Sequence, residues 1–306
     1  MPKILIVPET YSADYIETQR IFPLIDRKIE GLLDRIYQKD VGRVIKIVDD
    51  SIYIVNGTYT GDINQQFKDK FEYWLDYSRR NSIVGFSSFK RKDIILGCSQ
   101  YIDDLYIKHG ANNIQVLDGE YRYHYRMFPN MRPARVGNLD PNKHLIISAP
   151  FTNGNMHPDF TEILAECYEK QIKIHIDGAW ITAAQNVRLD LTHPSIESIG
   201  ISMSKGYGLS GWNRVGLRWS NHIEADSITL MNDFQQIPSL VVQIGTFMLD
   251  NLPVDHLWDT HEHNYYKICK DFKLDPTDTI HVGLSHNTYV HGIAPLLRYL
   301  EYNPKQ

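Results

Sequence analysis

Cysteine is scarce and scattered, with only Cys98, Cys167 and Cys269 in a chain of 306 residues. Their odd number and wide separation argue against a disulfide framework, and the lack of any CxxC pair argues against a structural zinc site. No metal site is expected. Long apolar runs are missing too; nothing approaches the roughly 20 residues of a membrane-spanning helix. The first residues, MPKILIVPETYSADY, hold too short an apolar stretch for a signal peptide and meet Asp14 and Glu17 early. Positive charge is in deficit: 32 Lys and Arg against 37 Asp and Glu give a net charge of -5. Nucleic acid and anionic membrane surfaces are therefore disfavoured as partners. Internal repeats and low-complexity linkers are also absent. These absences lead to the expectation of a soluble, cytoplasmic protein.

What is present is core-forming material. The chain is 42% hydrophobic and 23% charged, ample for one large domain or for one large plus one small. Residues 22–40 place Phe22, Ile25, Ile29, Leu32, Leu33 and Ile36 at helical spacing. VGRVIKIVDDSIYIV reads as two strands about a turn at Asp49-Asp50, and residues 62–79 as a helix. Strands are then expected at 93–97, 113–118, 144–150, 173–177, 198–204 and 215–220, with helices at 99–109 and 161–171 between them. Helices follow at 239–252 and 257–272, then a strand at 279–284 and a helix within 290–302. Apolar strands separated by helices predict a three-layer α/β/α domain around a mostly parallel sheet. Such sheets place their ligands beyond the carboxyl ends of the strands.

The residues at those ends bear chemistry. Asp177 closes one strand in IDGAW, and Lys205 follows the next, 28 residues on, in SMSKGYGLSGWNRVG. A lysine so close to a core is costly unless paired or neutralised. Ser202, Ser204 and Arg214 flank it and can bind a phosphate dianion through hydroxyls and a guanidinium. LGCSQYIDDL follows a strand and opens a helix, so Gly97, Cys98 and Ser99 can form a phosphate cup from backbone N–H groups. Each feature has a plain alternative: Asp177 as a turn cap, Ser99 as a helix cap, Tyr121 as a packed aromatic. His256, His261 and His263 read as surface residues with no shared metal.

Together these motifs resemble the fold-type I enzymes of pyridoxal 5'-phosphate (PLP), in the aspartate-aminotransferase-like group. SMSKGYGLSGWNRVG is similar to the S-x-S-K…R-x-G motif of that group and IDGAW to its D-x-A-Y motif, over most of residues 60–220. The resemblance implies that Lys205 is the Schiff-base lysine, that Asp177 pairs with the pyridine nitrogen, and that Ser202 and Arg214 hold the phosphate. It implies Trp180 near the cofactor 3'-oxygen and Tyr121, with Tyr123 as rival, stacked on the ring. It further implies a homodimer with shared active sites, in which Tyr59 reaches the phosphate of the other protomer. A large PLP-binding domain would span 60–222, and a smaller α+β domain 1–59 plus 223–306.

Departures from the pattern bear on the substrate. Arg214 lies nine residues after Lys205, one more than usual, which implies a bulge near Trp212 or Asn213. Phe151 stands where the group has an asparagine, with Asn153 or Asn155 as substitutes. His281 falls near the place of the usual substrate-carboxylate arginine and cannot offer its bidentate fork. The resulting expectation is an aminotransferase moving an amino group from a small-molecule donor to a keto or aldehyde acceptor. A lyase or decarboxylase of the same fold, or a non-catalytic relative, is the alternative.

Overall fold

The computed structural model describes residues 7–18, 21–37, 62–209, 214–286 and 288–304, and the backbone of 54–55 and 58–59. The two strands expected about Asp49-Asp50 lie largely outside these residues. What is described there is an antiparallel pair, β1 (Ile54–Val55) and β2 (Thr58–Tyr59). Helix α1 (Arg27–Tyr37) starts later than its apolar spacing suggests, because the Asp26 carboxylate accepts the Ile29 N–H at 2.8 Å and so caps it. The same carboxylate takes bonds from His256 Nε2 at 2.6 Å and His261 Nε2 at 3.1 Å. Burial would raise the Asp26 pKa, but these two bonds hold it well below the usual carboxylate range. His256 and His261 are thus buried, not on the surface as expected; His263 alone is exposed.

Asp62 caps α2 (Ile63–Asp76) by accepting the N–H groups of Asn64 and Gln65. The short strand β3 (Ser82–Val84) precedes β4 (Arg91–Ile95), α3 (Cys98–His109) and β5 (Ile114–Val116). Then come α4 (Arg122–Met127), β6 (His144–Ser148), α5 (Phe160–Glu169), β7 (Ile174–Gly178) and β8 (Arg188–Asp190). β9 (Ile196–Ser202), β10 (Gly216–Ser220) and α6 (Ser227–Asp233) follow. The strands of the central sheet run β4-β10-β9-β7-β6-β5. The β9-β7-β6-β5 block is parallel, while β10 runs antiparallel to both of its neighbours. This is the mainly parallel α/β architecture expected. β3 and β8, whose patterns gave no strand signal, form a separate parallel pair.

The last part of the chain carries α7 (Ser239–Asn251), α8 (His256–Asp271) and the antiparallel sheet of β11 (Asp275–Pro276), β12 (Val282–Ser285) and β13 (Tyr289–Gly292). Helix α9 (Ala294–Tyr302) follows β13 and lies within the stretch expected to hold the last helix. Leu24, Ile29, Phe67, Phe71, Trp219, Trp258 and Leu297 belong to one continuous buried cluster, so both ends of the chain seal the same core. All three cysteines are free and buried. Among the described residues no helix is long and apolar enough to cross a membrane.

Helix α3 spans the sheet from one end to the other. Gly200 of β9 makes this possible, because a Cβ there would sit 2.6 Å from the Tyr101 ring. Toward the amino end, Arg218 of β10 donates to Asp93 at 2.8 Å, Asp104 at 3.2 Å and Asp226 at 2.7 Å. Three histidines gather at that end: His109 closes α3, His144 opens β6 and His175 is the second residue of β7. Burial, reinforced by the neighbouring imidazoles, lowers His109 to about 4 and His175 well below its usual value.

Candidate active site

At the carboxyl end of the sheet, Asp177 lies between Ser148 of β6 and Gly200 of β9. It is buried, and its Oδ1 accepts the Ala179 N–H at 3.0 Å. The Cys98 thiol, on the first residue of α3, donates to the Gly200 carbonyl at 3.4 Å beside the same carboxylate. Burial pushes the Asp177 pKa up; the nearby Cys98 thiol, the Ala179 N–H and the charge of Lys205 pull against it. Cys98 itself is raised well above the thiol range, first by burial and then by Asp177, so it stays a donor. Its backbone opens α3, and its side chain is buried against β9.

Lys205 sits on the turn that leaves β9, and that turn is tied on both sides of it. Thr182 Oγ1 donates to the Ser202 carbonyl at 3.1 Å and accepts the Gly206 N–H at 3.2 Å. Only glycine fits at 206, since a Cβ would lie 2.3 Å from the Thr182 carbonyl oxygen. The fully buried Tyr207 then anchors the chain by donating to the carbonyls of Pro253 and Val254, each at 3.1 Å. The positive charge of Lys205 acts on both Asp177 and His281, lowering each.

A cup forms beside this turn. Gly97 has φ +90°, and a Cβ there would meet Arg214 Cδ at 3.4 Å and Ser204 Oγ at 3.6 Å. Arg214 Nη1 donates to Ser99 Oγ at 3.4 Å. Gly97, Ser99, Ser204 and Arg214 therefore converge at the start of α3, where unpaired N–H groups and the helix dipole favour an anion. Ser202 is buried against Cys98 on the inner side. The bulge expected near Trp212 and Asn213 falls outside the described residues.

Tyr121 borders the cup. It is 43% exposed, stacks on Tyr123 with centroids 5.7 Å apart, and its hydroxyl feels both Asp177 and Arg214. Tyr123 instead donates to Asp103 at 2.6 Å. Trp180 meets His281 edge-on at 5.4 Å. His281 is 0% exposed, neither ring nitrogen has a partner, and burial followed by the Lys205 charge lowers its pKa to about 3. Phe151 is buried against Gly119. Both candidate substitutes are engaged in the turn that follows: Asn153 Oδ1 accepts the Asn155 N–H at 3.1 Å, and Asn155 Oδ1 accepts the Asp278 N–H at 2.9 Å. For Tyr59 only the backbone is described, paired with Ile54.

One residue escaped the sequence reading. Glu120 is buried beneath Tyr121 and accepts the Ser148 N–H at 2.5 Å, the Ser148 hydroxyl at 2.7 Å and the Tyr121 N–H at 2.7 Å. Burial, opposed by these bonds and reinforced by Asp177, raises it to about 7. Its only trace in the sequence is an acid directly after the Asp118-Gly119 turn, which reads as solvated.

No protein-family model and no curated protein sequence matches the chain. Solved structures do. A PLP-bound C-S lyase from Staphylococcus hominis, complexed with L-cycloserine, matches with a TM-score of 0.60 at 9% identity, over 94% of this chain and 88% of that one. A mutant Thermus thermophilus aspartate aminotransferase complexed with tryptophan matches with a TM-score of 0.55 at 12% identity, over 86% and 73%. A probable N-succinyldiaminopimelate aminotransferase, also from Thermus thermophilus, matches with a TM-score of 0.51 at 13% identity, over 79% and 76%. The chain has the type I fold of PLP-dependent transferases that these structures share.

Proposed function

We propose that this chain is a PLP-dependent enzyme, and within that chemistry an aminotransferase. One observation carries the reading: a lysine on a doubly tied turn shares a sheet end with a buried carboxylate and a Gly-Ser-Ser-Arg cup. The concavity at Gly97, which a Cβ would fill, suits a phosphate, and the donor set of Ser99, Ser204, Arg214 and the α3 N-terminus suits its charge. Asp177 at the foot of the site suits a protonated ring nitrogen. When bound, PLP supplies an aldehyde for an amine and an aromatic electron sink.

The remaining work falls to the chain. Asp177, whose charged form the Ala179 N–H and the charge of Lys205 favour, would hold a proton on the facing nitrogen. Lys205 would anchor the cofactor covalently, then use its free Nζ to take a proton from the α-carbon of the substrate and return it. Tyr121 would cover one ring face, and Trp180, with its indole N–H, would lie toward the far edge. The expected homodimer, the Tyr59 contribution across it, the cytoplasmic setting and the 60–222 cofactor domain are parts of the same proposal.

Purified protein given PLP should be yellow, and borohydride should fix the cofactor to Lys205. The variant Lys205→Ala should lose the fixation and at least about 10³-fold in turnover. A wild-type protein that takes up no PLP would refute the reading. A lyase is the second reading, favoured by His281: a neutral, buried imidazole is not the cation that usually grips a substrate carboxylate. An amino donor supplied alone separates the two. An aminotransferase consumes one equivalent per site and waits for an acceptor, whereas a lyase turns over continuously.

A further inference from the structure

We infer that His109, His144 and His175 form a binding site for a divalent transition-metal ion, at the end of the sheet opposite Lys205. One ring nitrogen from each of the three lies within 4.8 Å of the other two. His144 Nδ1 and His175 Nε2 are 3.0 Å apart. Ligands bound at about 2.0–2.1 Å in a tetrahedral zinc site stand roughly 3.3 Å from one another, so this pair is already spaced as two ligands.

The third ring is the informative one. His109 stacks on His144 with centroids 3.8 Å apart, and its Nε2 is buried without a hydrogen-bond partner. A proton shared between His144 and His175 accounts for their contact but leaves this nitrogen unexplained. An unpaired buried polar atom is costly, and an ion bound to it removes that cost.

The surroundings are built as a metal's outer shell. Ser198 Oγ bonds His175 Nδ1 at 2.7 Å, and Tyr101 OH bonds Ser198 Oγ at 2.6 Å. That chain orients the ring and turns Nε2 toward the other two histidines, as partners behind a metal-bound imidazole do. All-imidazole ligation selects zinc, nickel, cobalt or copper over magnesium and calcium. The ion would bind the last turn of α3 to the first residues of β6 and β7.

In a second grouping, Asp26 with His261 and Glu301, the Asp26 carboxylate is already engaged, accepting from His256, His261 and the Ile29 N–H. The proposal stands apart from the PLP reading, and neither fails with the other.

The test uses untagged, full-length protein carrying whatever cofactor it purifies with. After equilibrium dialysis against Zn²⁺, metal analysis should give one ion per chain, and the thermal midpoint should rise with Zn²⁺ but not with Mg²⁺. His109→Gln changes only a partly exposed ring at the end of a helix, so it should fold, and His144→Gln is the companion variant. Each should weaken Zn²⁺ binding at least tenfold and remove the thermal shift, whereas His193→Gln should bind as the wild type does. Absence of Zn²⁺ uptake by the folded wild type would overturn the inference, and so would undiminished binding by both cluster variants.

Discussion

Asp177 and Arg218 are both buried charges on neighbouring parts of one sheet, each less than 5% exposed, and the fold treats them in opposite ways. Arg218 is met by three carboxylates, and burial's tendency to strip its proton is outweighed by Asp226 and Asp93. Asp177 is met by one backbone N–H and the charge of a lysine on a loop, and its pKa is raised. One charge is balanced inside the protein. The other is held under-balanced at a strand end, as the proposed cofactor role of Asp177 requires.

That contrast can be broken by substitution. Arg218→Leu should cost about 3–5 kcal/mol of folding stability, because it strands three buried carboxylates; urea unfolding measures it. Asp177→Asn should lower turnover 10²- to 10³-fold, about 3–4 kcal/mol, while the unfolding midpoint holds or rises. Should Asp177→Asn cost as much stability as Arg218→Leu, Asp177 is a structural acid and the comparison collapses.

Glu120 sharpens it through pH. Its pKa is raised from 4.5 to about 7 in the folded chain. A carboxyl raised on folding contributes stability that is complete below the unfolded value and lost as pH climbs through the folded one, roughly 3 kcal/mol over this interval. Wild type should therefore lose stability relative to Glu120→Gln between pH 5 and pH 8, as paired urea titrations would register. Parallel curves would mean that Glu120 is ionised throughout. The smallest expected effect is that of Gly97→Ala. The positive φ alone costs about 1 kcal/mol, and crowding of Arg214 should raise the apparent Kd for PLP about tenfold, read from cofactor absorbance.

Much of this was legible in the sequence, and the reasons are specific. The strands β4, β6, β7, β9 and β10 announced themselves as short apolar runs because they are covered on both faces, and that placed Asp177 and the turn after β9. Gly97 and Ser99 were legible as a strand–glycine–helix junction, although the burial of the Cys98 side chain against β9 was not. β3 and β8 are three residues each with alternating exposure, too short to stand out from loop. Burial of His256 and His261 depends on Asp26, more than 200 residues away in sequence, and no local pattern reveals such a pairing. Glu120 was missed for the same reason: Ser148, its principal partner, belongs to the next strand.

The Thr182 hydroxyl, which ties the carbonyl of Ser202 to the N–H of Gly206, has a kinetic meaning. It closes a small ring across the chain and turns the Cα of Lys205 into a fixed pivot. All the freedom of the residue is then concentrated in its four-carbon arm. An amine on such an arm can release one bond, sweep to a neighbouring atom and return without any movement of the main chain. On the proposed chemistry, recapture would be an intramolecular event at high effective molarity rather than a search through solution. A loosened pivot would leave every group of the site in place and still slow each return.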